Sequence, residues 1–261
     1  MQQLTWNFIP AGEYSGEFNM WFDEQLVQRL IDGTGSPTVR LYRWKPWAIS
    51  LGRHQNLSDI AMQRCKNDGI DVVRRPTGGR AILHAEELTY SVAMIVDKKG
   101  LHQVYNEISH ALVEGLRFFG AEVSLQRSQP NFAEMYKSPS SIPCFSSSAR
   151  YEIEWNGKKL AGSAQRRYAC KSGEVVLQHG SILCGTAHRR LADYLALDDE
   201  MIRGRIRADL DERTTDLQTI SGRKVDVLEL SACMKKGFEC AWGITFTQTD
   251  SMSSYLKDVY A

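Results

Sequence analysis

The residues best suited to chemistry lie in two stretches, the first of which combines arginine with glycine. Arg74 and Arg75 end a short apolar run and are followed by the letters PTGG at positions 76–79. Glycine accepts positive φ and lets a ligand approach the main chain, and arginine adds positive charge. At the edge of a sheet this pattern could hold a carboxyl group, a phosphate or a thioester carbonyl. A tight turn with exposed arginines is the ordinary alternative.

The second stretch is centred on a cysteine. Cys144 lies between the letters IP and FSSS, and GKKLAGSAQRR at 157–167 and LQHGSIL at 177–183 follow it. A thiolate is a nucleophile, but a loop cysteine is often only a small buried residue. A lysine beside a hairpin turn, such as Lys159, is usually solvated. None of the six cysteines forms a CxxC pair, which argues against a disulfide framework or a zinc ribbon in an intracellular protein.

Hydrophobic periodicity predicts the elements that position these residues. Helical spacing indicates helices over 17–32, 59–67 with Ser58 as cap, 101–119 and 227–241. Strands are predicted over 70–73, 81–83 and 88–94, on both sides of the glycine loop. The dipeptide Asn156-Gly157 indicates a type I′ hairpin, and a second hairpin turns near 171–173. A polar segment over 126–143, too long for a simple hairpin, leads to Cys144.

Composition excludes several classes of protein. The chain has 261 residues, 43% of them hydrophobic and 24% charged, which is ordinary for a globular protein. Its net charge of +1 gives no general field for nucleic acid or an anionic membrane. The N-terminus lacks signal-peptide features, and no apolar run approaches the roughly 20 residues of a membrane span. We expect a cytoplasmic protein that binds neither nucleic acid nor membrane.

The absence of repeats, low-complexity linkers and composition shifts predicts a single domain. We expect one catalytic domain over 1–261, in which 188–261 form a small helical C-terminal extension.

The separate motifs RRPTGGRAILH, KLAGSAQR and LQHGSI occur in the order found in one known superfamily. Through them the chain resembles the lipoate–protein ligase A and octanoyltransferase superfamily, whose catalytic domain is shared with biotin–protein ligase. The resemblance covers most of the chain from Glu17 to Gly185. It implies an α/β (α+β) fold with a mixed, largely antiparallel sheet flanked by helices.

Two positions indicate which branch of the superfamily the chain resembles. Ligases activate a free acid with ATP and magnesium, and usually carry an Asn-Asp pair and a third glycine. This chain has Cys144-Phe145 and Arg80 at those positions, like the cysteine-dependent octanoyltransferases. The resemblance therefore implies octanoyl-acyl carrier protein as donor, a lipoyl domain or glycine-cleavage H protein as acceptor, and no cofactor or metal. A monomer is expected. Ala85 departs from the aspartate that is common in relatives.

The resemblance also implies roles for individual residues. The Cys144 thiolate would take the octanoyl group, while the Lys159 ammonium would favour the thiolate and handle protons. Backbone N–H groups near Gly78-Gly79 or around Cys144 would meet the oxyanion, and His84 and His179 would orient loops. An apolar slot would be lined by Ala81, Leu88, Tyr90 and Ala164. The full substrate-binding set is Arg75, Thr77, Gly78, Gly79, Arg80, Ala81, His84, Leu88, Tyr90, Gly162, Ser163, Ala164, Gln165, His179 and Gly180.

Three other functions remain open at this stage. The chain could be an ATP-dependent lipoate–protein ligase with a structural Cys144, or an amidotransferase between lipoyl-bearing proteins. It could also be a non-catalytic lipoyl-carrier or acyl-binding protein that kept the fold. Neither the acyl chain length nor the preferred acceptor follows from the sequence.

Overall fold

The computed structural model describes residues 5–125 and 152–248. The strands of this part of the chain are β1 Trp6–Ile9, β2 Glu13–Tyr14, β3 Thr38–Trp44, β4 Ala48–Leu51, β5 Asp71–Arg74, β6 Ile82–His84, β7 Glu87–Val96, β8 Ser124–Leu125, β9 Ile153–Trp155, β10 Lys158–Cys170, β11 Gly173–Leu183 and β12 Phe246–Gln248. The helices are α1 Gly16–Ile31, α2 Met62–Asn67, α3 Leu101–Phe118, α4 Glu200–Arg213, α5 Leu217–Ser221 and α6 Val227–Trp242, with 3-10 helices at Leu57–Asp59 and Ala187–Tyr194.

Two sheets form the framework of the described chain. The larger has the order β12-β1-β3-β7-β11-β10-β9-β8, with β2 paired to β3, and the smaller has the order β5-β4-β6. From β3 through β7, β11, β10 and β9 to β8 every pairing is antiparallel, while β1 pairs in parallel with β3 and β12. The prediction of a mixed, largely antiparallel sheet flanked by helices is confirmed. The division into two sheets was not predicted.

Helices cover opposite faces of the larger sheet. Phe22 and Leu26 of α1 pack with Ala93, while Leu112 of α3 belongs to a separate cluster with Val92. Successive side chains of a strand point to opposite faces, so neighbouring residues of β7 meet different helices. Both faces of β7 are therefore buried. Among the described residues, no helix combines the length and the apolar character needed to cross a membrane.

Local signals account for most element boundaries. Ser15 caps α1 by accepting a hydrogen bond from the Phe18 amide at 3.2 Å, and the predicted helix matches α1 within one residue. Asn156 and Gly157 both have positive φ, at 49° and 73°, as a type I′ turn requires. The hairpin prediction is confirmed.

The predicted helix over 59–67 is wrong in its first three residues, because the helix begins at Met62. Ile60 is extended and pairs with Leu195, and the Ala61 amide donates to the Tyr194 carbonyl at 2.8 Å. This long-range pairing ends the 3-10 helix and delays the start of α2 to Met62. Ser58 lies inside the 3-10 helix and caps nothing, because α2 has no side-chain cap.

The C-terminal part joins the framework at two places. Helix α6 packs on α3, and β12 pairs with β1 at the edge of the larger sheet. After α4, the Thr215 amide donates to the Lys159 carbonyl at 3.0 Å. The segment that follows α4 therefore supports the start of β10, where one of the predicted catalytic residues lies.

Candidate active site

A cavity lies where the two sheets and α1 meet, with about 410 Å³ of empty space that includes its opening to solvent. The cavity is lined by Met20, Tyr42, Trp44, Ser50, Arg75, Ile82, His84, Thr89, Gly162, Ser163, Ala164, His179, Gly180 and Ser181. Its wall combines a few apolar side chains with small residues and two imidazoles, which suits a slender acyl chain.

The glycine loop at 76–80 is folded around the buried guanidinium of Arg75. Nη2 of Arg75 donates to the carbonyls of Gly78 at 2.8 Å and Arg80 at 2.7 Å, while Nη1 donates to the Ser50 carbonyl at 2.9 Å. On its outer side the loop packs on Gly52, where a Cβ atom would lie 2.0 Å from the Gly79 oxygen. Arg75 therefore shapes the loop from within.

His84 is held between a hydroxyl and a carboxylate on the cavity wall. Its Nε2 lies 2.7 Å from Ser50 Oγ, and its Nδ1 lies 2.7 Å from Glu87 Oε1. The ring also stacks on Trp44, with centroids 4.0 Å apart. Burial alone raises the pKa of Glu87, but His84 and hydrogen bonds from Thr89 and Ser181 hold that pKa below its ordinary value. A charged carboxylate, which accepts its hydrogen bonds through Oε1, therefore fixes the orientation of the ring.

His179 has a similar arrangement that connects the glycine loop to α1. Nε2 of His179 lies 2.6 Å from Thr77 Oγ1, and Nδ1 lies 3.2 Å from Asp23 Oδ2. Burial lowers the pKa of His179, so the neutral ring donates from Nδ1 to Asp23 and accepts from the Thr77 hydroxyl. Burial raises the pKa of Asp23, but the bond from His179 and the Arg40 charge outweigh it and leave the pKa lowered.

Most of the predicted binding residues lie at or beside this cavity. The lining contains Arg75, His84, Gly162, Ser163, Ala164, His179 and Gly180 from the predicted set. Thr77, Gly78, Gly79 and Arg80 form the adjacent loop. Gln165 lies outside the lining and donates to Gln178 Oε1 at 2.9 Å.

Three predicted slot residues do not line the cavity among the described residues. Ala81, Leu88 and Tyr90 belong to the hydrophobic core, and Leu88 and Tyr90 lie on the face of β7 opposite Thr89. Tyr90 supports the cavity wall from behind, since its hydroxyl lies 2.6 Å from Ser163 Oγ. Burial raises the pKa of Tyr90 to about 12. Direct contact between these three residues and substrate stays a prediction.

The structure describes only one of the two predicted catalytic residues. Cys144 lies outside the described residues. Lys159 is buried, and its Nζ lies 2.6 Å from Oε1 of Glu152, which is buried as well. The ordinary explanation of Lys159 as a solvated lysine beside a turn is therefore wrong.

Sequence reasoning missed the buried partners Asp23, Glu87 and Glu152. A signal for Asp23 exists, because Asn19 and Asp23 lie four residues apart on the otherwise apolar face of α1, where Phe22 and Leu26 are also buried. Glu152 carries no comparable signal. In the described part of the chain, no group of three or more His, Cys, Asp or Glu side chains is placed to hold a metal ion.

Comparison with known proteins gives a consistent result. The sequence model of the lipoyl protein ligase A/B catalytic domain matches residues 15–239. The octanoyltransferase LipM of Geobacillus kaustophilus is 33% identical, over 99% of this chain and 95% of its own length. The octanoyltransferase LipM of Bacillus subtilis is 34% identical, over 94% of this chain and 88% of its own.

Solved structures share the fold at low sequence identity. A bi-partite lipoate protein ligase from Thermoplasma acidophilum superposes with a TM-score of 0.74 at 19% identity, covering 99% of this chain and 92% of its own. Lipoate-protein ligase A bound with ATP superposes with a TM-score of 0.73 at 20% identity, covering 98% and 94%. At this identity the likeness shows the fold alone.

Proposed function

The chain belongs to the lipoyl protein ligase A/B catalytic domain family, and from this premise we propose that it is an octanoyltransferase that serves protein lipoylation. One observation carries the proposal: a relative named as an octanoyltransferase aligns with 99% of the chain at 33% identity. The acceptors are proteins that carry a lipoyl domain. The cavity between the sheets holds the acyl chain, and each methylene buried there contributes roughly 0.8 kcal/mol of binding.

The first half-reaction loads Cys144. Its thiolate attacks the carbonyl carbon of an octanoyl thioester on acyl carrier protein. The new carbon–sulfur bond forms, and the bond to the carrier's sulfur breaks. The leaving thiolate takes a proton from the Lys159 ammonium and departs as a thiol. Since a free cysteine has a pKa near ~8.5 and is mostly protonated at neutral pH, a cation close to Cys144 is needed to supply the thiolate.

The second half-reaction forms the amide. The neutral amine of an acceptor lysine, on a lipoyl domain or glycine-cleavage H protein, attacks the Cys144 thioester. The carbon–nitrogen bond forms, the bond to sulfur breaks, and Lys159 takes the proton that the amine loses. Cys144 returns as a thiolate and Lys159 as an ammonium. Exchange between thioesters is nearly neutral and amide formation is downhill, so this route needs no nucleotide.

Transfer without ATP tests the proposed route. With octanoyl-acyl carrier protein and an acceptor domain, octanoylated acceptor should form in the absence of ATP. Cys144→Ser should abolish product, because the nucleophile is lost, and intact-mass analysis should find an octanoyl adduct on the wild type but not on Cys144→Ala. Cys170→Ser is the matched control, since Cys170 is half-buried near Ser172 at the far end of β10.

Three other outcomes would contradict the proposed route. Turnover that depends strictly on ATP, magnesium and a free acid would replace the transferase with a ligase. Transfer from a lipoyl-bearing donor but not from acyl carrier protein would keep the cysteine chemistry and change the donor. Tight binding of the carrier protein without any transfer would indicate an acyl-binding protein.

A further inference from the structure

The ion pair between Lys159 and Glu152 is buried to an extent that requires an explanation. Lys159 Nζ lies 2.6 Å from Glu152 Oε1, and the two side chains are only 6% and 5% exposed. Removing two charges from water costs several kcal/mol for each ion, and this cost is recovered only when the geometry is good. Such pairs add little net stability over an apolar pair. Because one member of this pair is the predicted catalytic residue Lys159, the pair indicates a role in positioning.

The backbone around Lys159 is constrained on both sides. On one side β9 pairs Glu154 with Lys159, and the register then shifts between Lys159 and Ala161. On the other side the Thr215 amide donates to the Lys159 carbonyl at 3.0 Å. A register shift of this kind is a bulge, which redirects the side chains next to it. The bulge and the two neighbouring segments fix the direction in which the lysine leaves the strand.

We propose that Glu152 is a positioning residue for octanoyl transfer, which holds the Lys159 ammonium in place and balances its charge while Lys159 gives up and regains a proton. This inference rests on the proposed function, in which Lys159 handles protons in both half-reactions. Glu152 itself forms no bond with the acyl group. Its carboxylate gives the ammonium a preferred position, and both side chains are almost fully buried.

The carboxylate has a defined effect on each step. Before loading, it holds the Lys159 ammonium in the position from which the departing carrier thiolate takes its proton. After loading, its negative charge faces the ammonium that forms as Lys159 takes the proton of the acceptor amine. Removing the carboxylate therefore weakens both steps without changing the acyl cavity, because Glu152 is not among the described residues that line it.

The test compares Glu152→Gln with the wild type in steady-state octanoyl transfer, with kcat expressed per active enzyme. Glu152→Gln should lower kcat about 10²-fold, at the low end of general acid–base contributions, with the KM for the octanoyl donor unchanged within about twofold. A purely structural role would reduce the amount of active enzyme and leave kcat per active enzyme unchanged.

The control removes the same charge two residues away. Glu154 lies on β9 beside Glu152 but is only half-buried, and Glu154→Gln should keep both kcat and KM. Glu152→Asp retains a carboxylate, so it should restore part of kcat. If circular dichroism shows that Glu152→Gln does not fold, kcat and KM are measured on Glu152→Asp, whose shorter side chain should lower kcat at constant KM.

The outcomes separate this inference from the function on which it rests. If the wild type transfers octanoyl groups and Glu152→Gln matches it in kcat per active enzyme, the positioning role is wrong and the function stands. If the wild type transfers nothing without ATP, the proposed function is wrong, and the inference that rests on it is wrong as well. An equal loss in Glu154→Gln would also overturn the inference, since the effect would then be one of general charge.

Discussion

At the scale of single residues, the cavity wall is organised by charged groups in the core. Arg40 and Asp23 form an ion pair at 2.9 Å in which neither side chain is exposed. Asp23 also accepts from the Tyr42 hydroxyl at 3.0 Å and from Ser91 at 2.8 Å, in addition to His179. The Arg40 guanidinium lies over the Tyr42 ring, 4.0 Å from its centroid. One aspartate therefore joins α1 to three strands, β3, β7 and β11.

Removing the Asp23 carboxylate should strongly lower the free energy of unfolding. Asp23→Ala leaves the Arg40 cation buried without its carboxylate, and breaking such a pair typically costs about 3–5 kcal/mol. Denaturant unfolding measures the change. The control is Glu13→Ala, which breaks the half-exposed pair with Arg43 and should cost less than about 1 kcal/mol. Equal costs for the two variants would show that the buried cluster is not important for stability.

At the scale of elements, the glycine loop depends on the strand end beside it. The loop rests on Gly52, and the Arg53 amide donates to the Thr77 carbonyl at 2.9 Å. Thr77 in turn contacts His179 on β11. The position of the loop is therefore set by the end of β4 on one side and by β11 on the other.

A methyl group at Gly52 should move this loop. Gly52→Ala places Cβ 2.0 Å from the Gly79 oxygen, which is main chain and cannot rotate away. We expect a cost of about 1–3 kcal/mol, as for other overpacked sites, and a loss of octanoyl transfer at saturating donor. Gly204→Ala is the control, because Gly204 lies exposed in α4 with no atom within 4 Å.

The control variant should gain stability instead. Alanine exceeds glycine in helix propensity by roughly 0.8–1.0 kcal/mol, so Gly204→Ala should unfold at higher denaturant and keep its activity. A Gly52→Ala protein that retains wild-type stability and transfer would show that the loop can shift without consequence.

At the scale of the whole molecule, His188 connects the C-terminal helices to the central strands. Its Nδ1 lies 3.1 Å from the Gly185 carbonyl, and its Nε2 lies 2.7 Å from Thr214 Oγ1 at the end of α4. Burial lowers the pKa of His188 to about 4. The ring is therefore neutral in the folded protein at a pH where the unfolded chain already binds a proton.

Global stability should consequently fall on mild acidification. Below the unfolded value of about 6.5 the unfolded state binds more protons than the folded state, so the free energy of unfolding decreases as pH falls. His188 alone should account for a loss of about 2 kcal/mol between about pH 7.5 and about pH 5, from the size of its shift. His179, whose pKa is also lowered, adds to the loss in the same direction.

Chemical denaturation at both pH values measures this dependence. His188→Gln should show a smaller difference between the two pH values, since glutamine does not titrate. A variant as sensitive to pH as the wild type would assign the acid sensitivity to other groups. Asp23 and Glu87, whose pKa values are lowered, lose their contribution only at more acidic pH, as they become protonated.

Much of the fold followed from local patterns. Helix α1, helix α3 and the hairpin at Asn156-Gly157 were predicted because amphipathic periodicity and turn chemistry act within a few residues. The start of α2 was not predicted correctly, because Ile60 pairs with Leu195, far along the chain. The separation of β4 from β3 into different sheets was missed for the same reason, since pairing partners cannot be read from a single strand.

The sequence alone determined the family and the candidate chemistry, because three motifs in a known order and a cysteine in place of Asn-Asp are local facts. The tertiary structure alone decided how the site is assembled. It brought His179 to Asp23 across 156 residues and placed the cavity at the junction of two sheets. It also buried Lys159 against Glu152. These contacts depend on which elements pack together, and no single short stretch of the sequence specifies that packing.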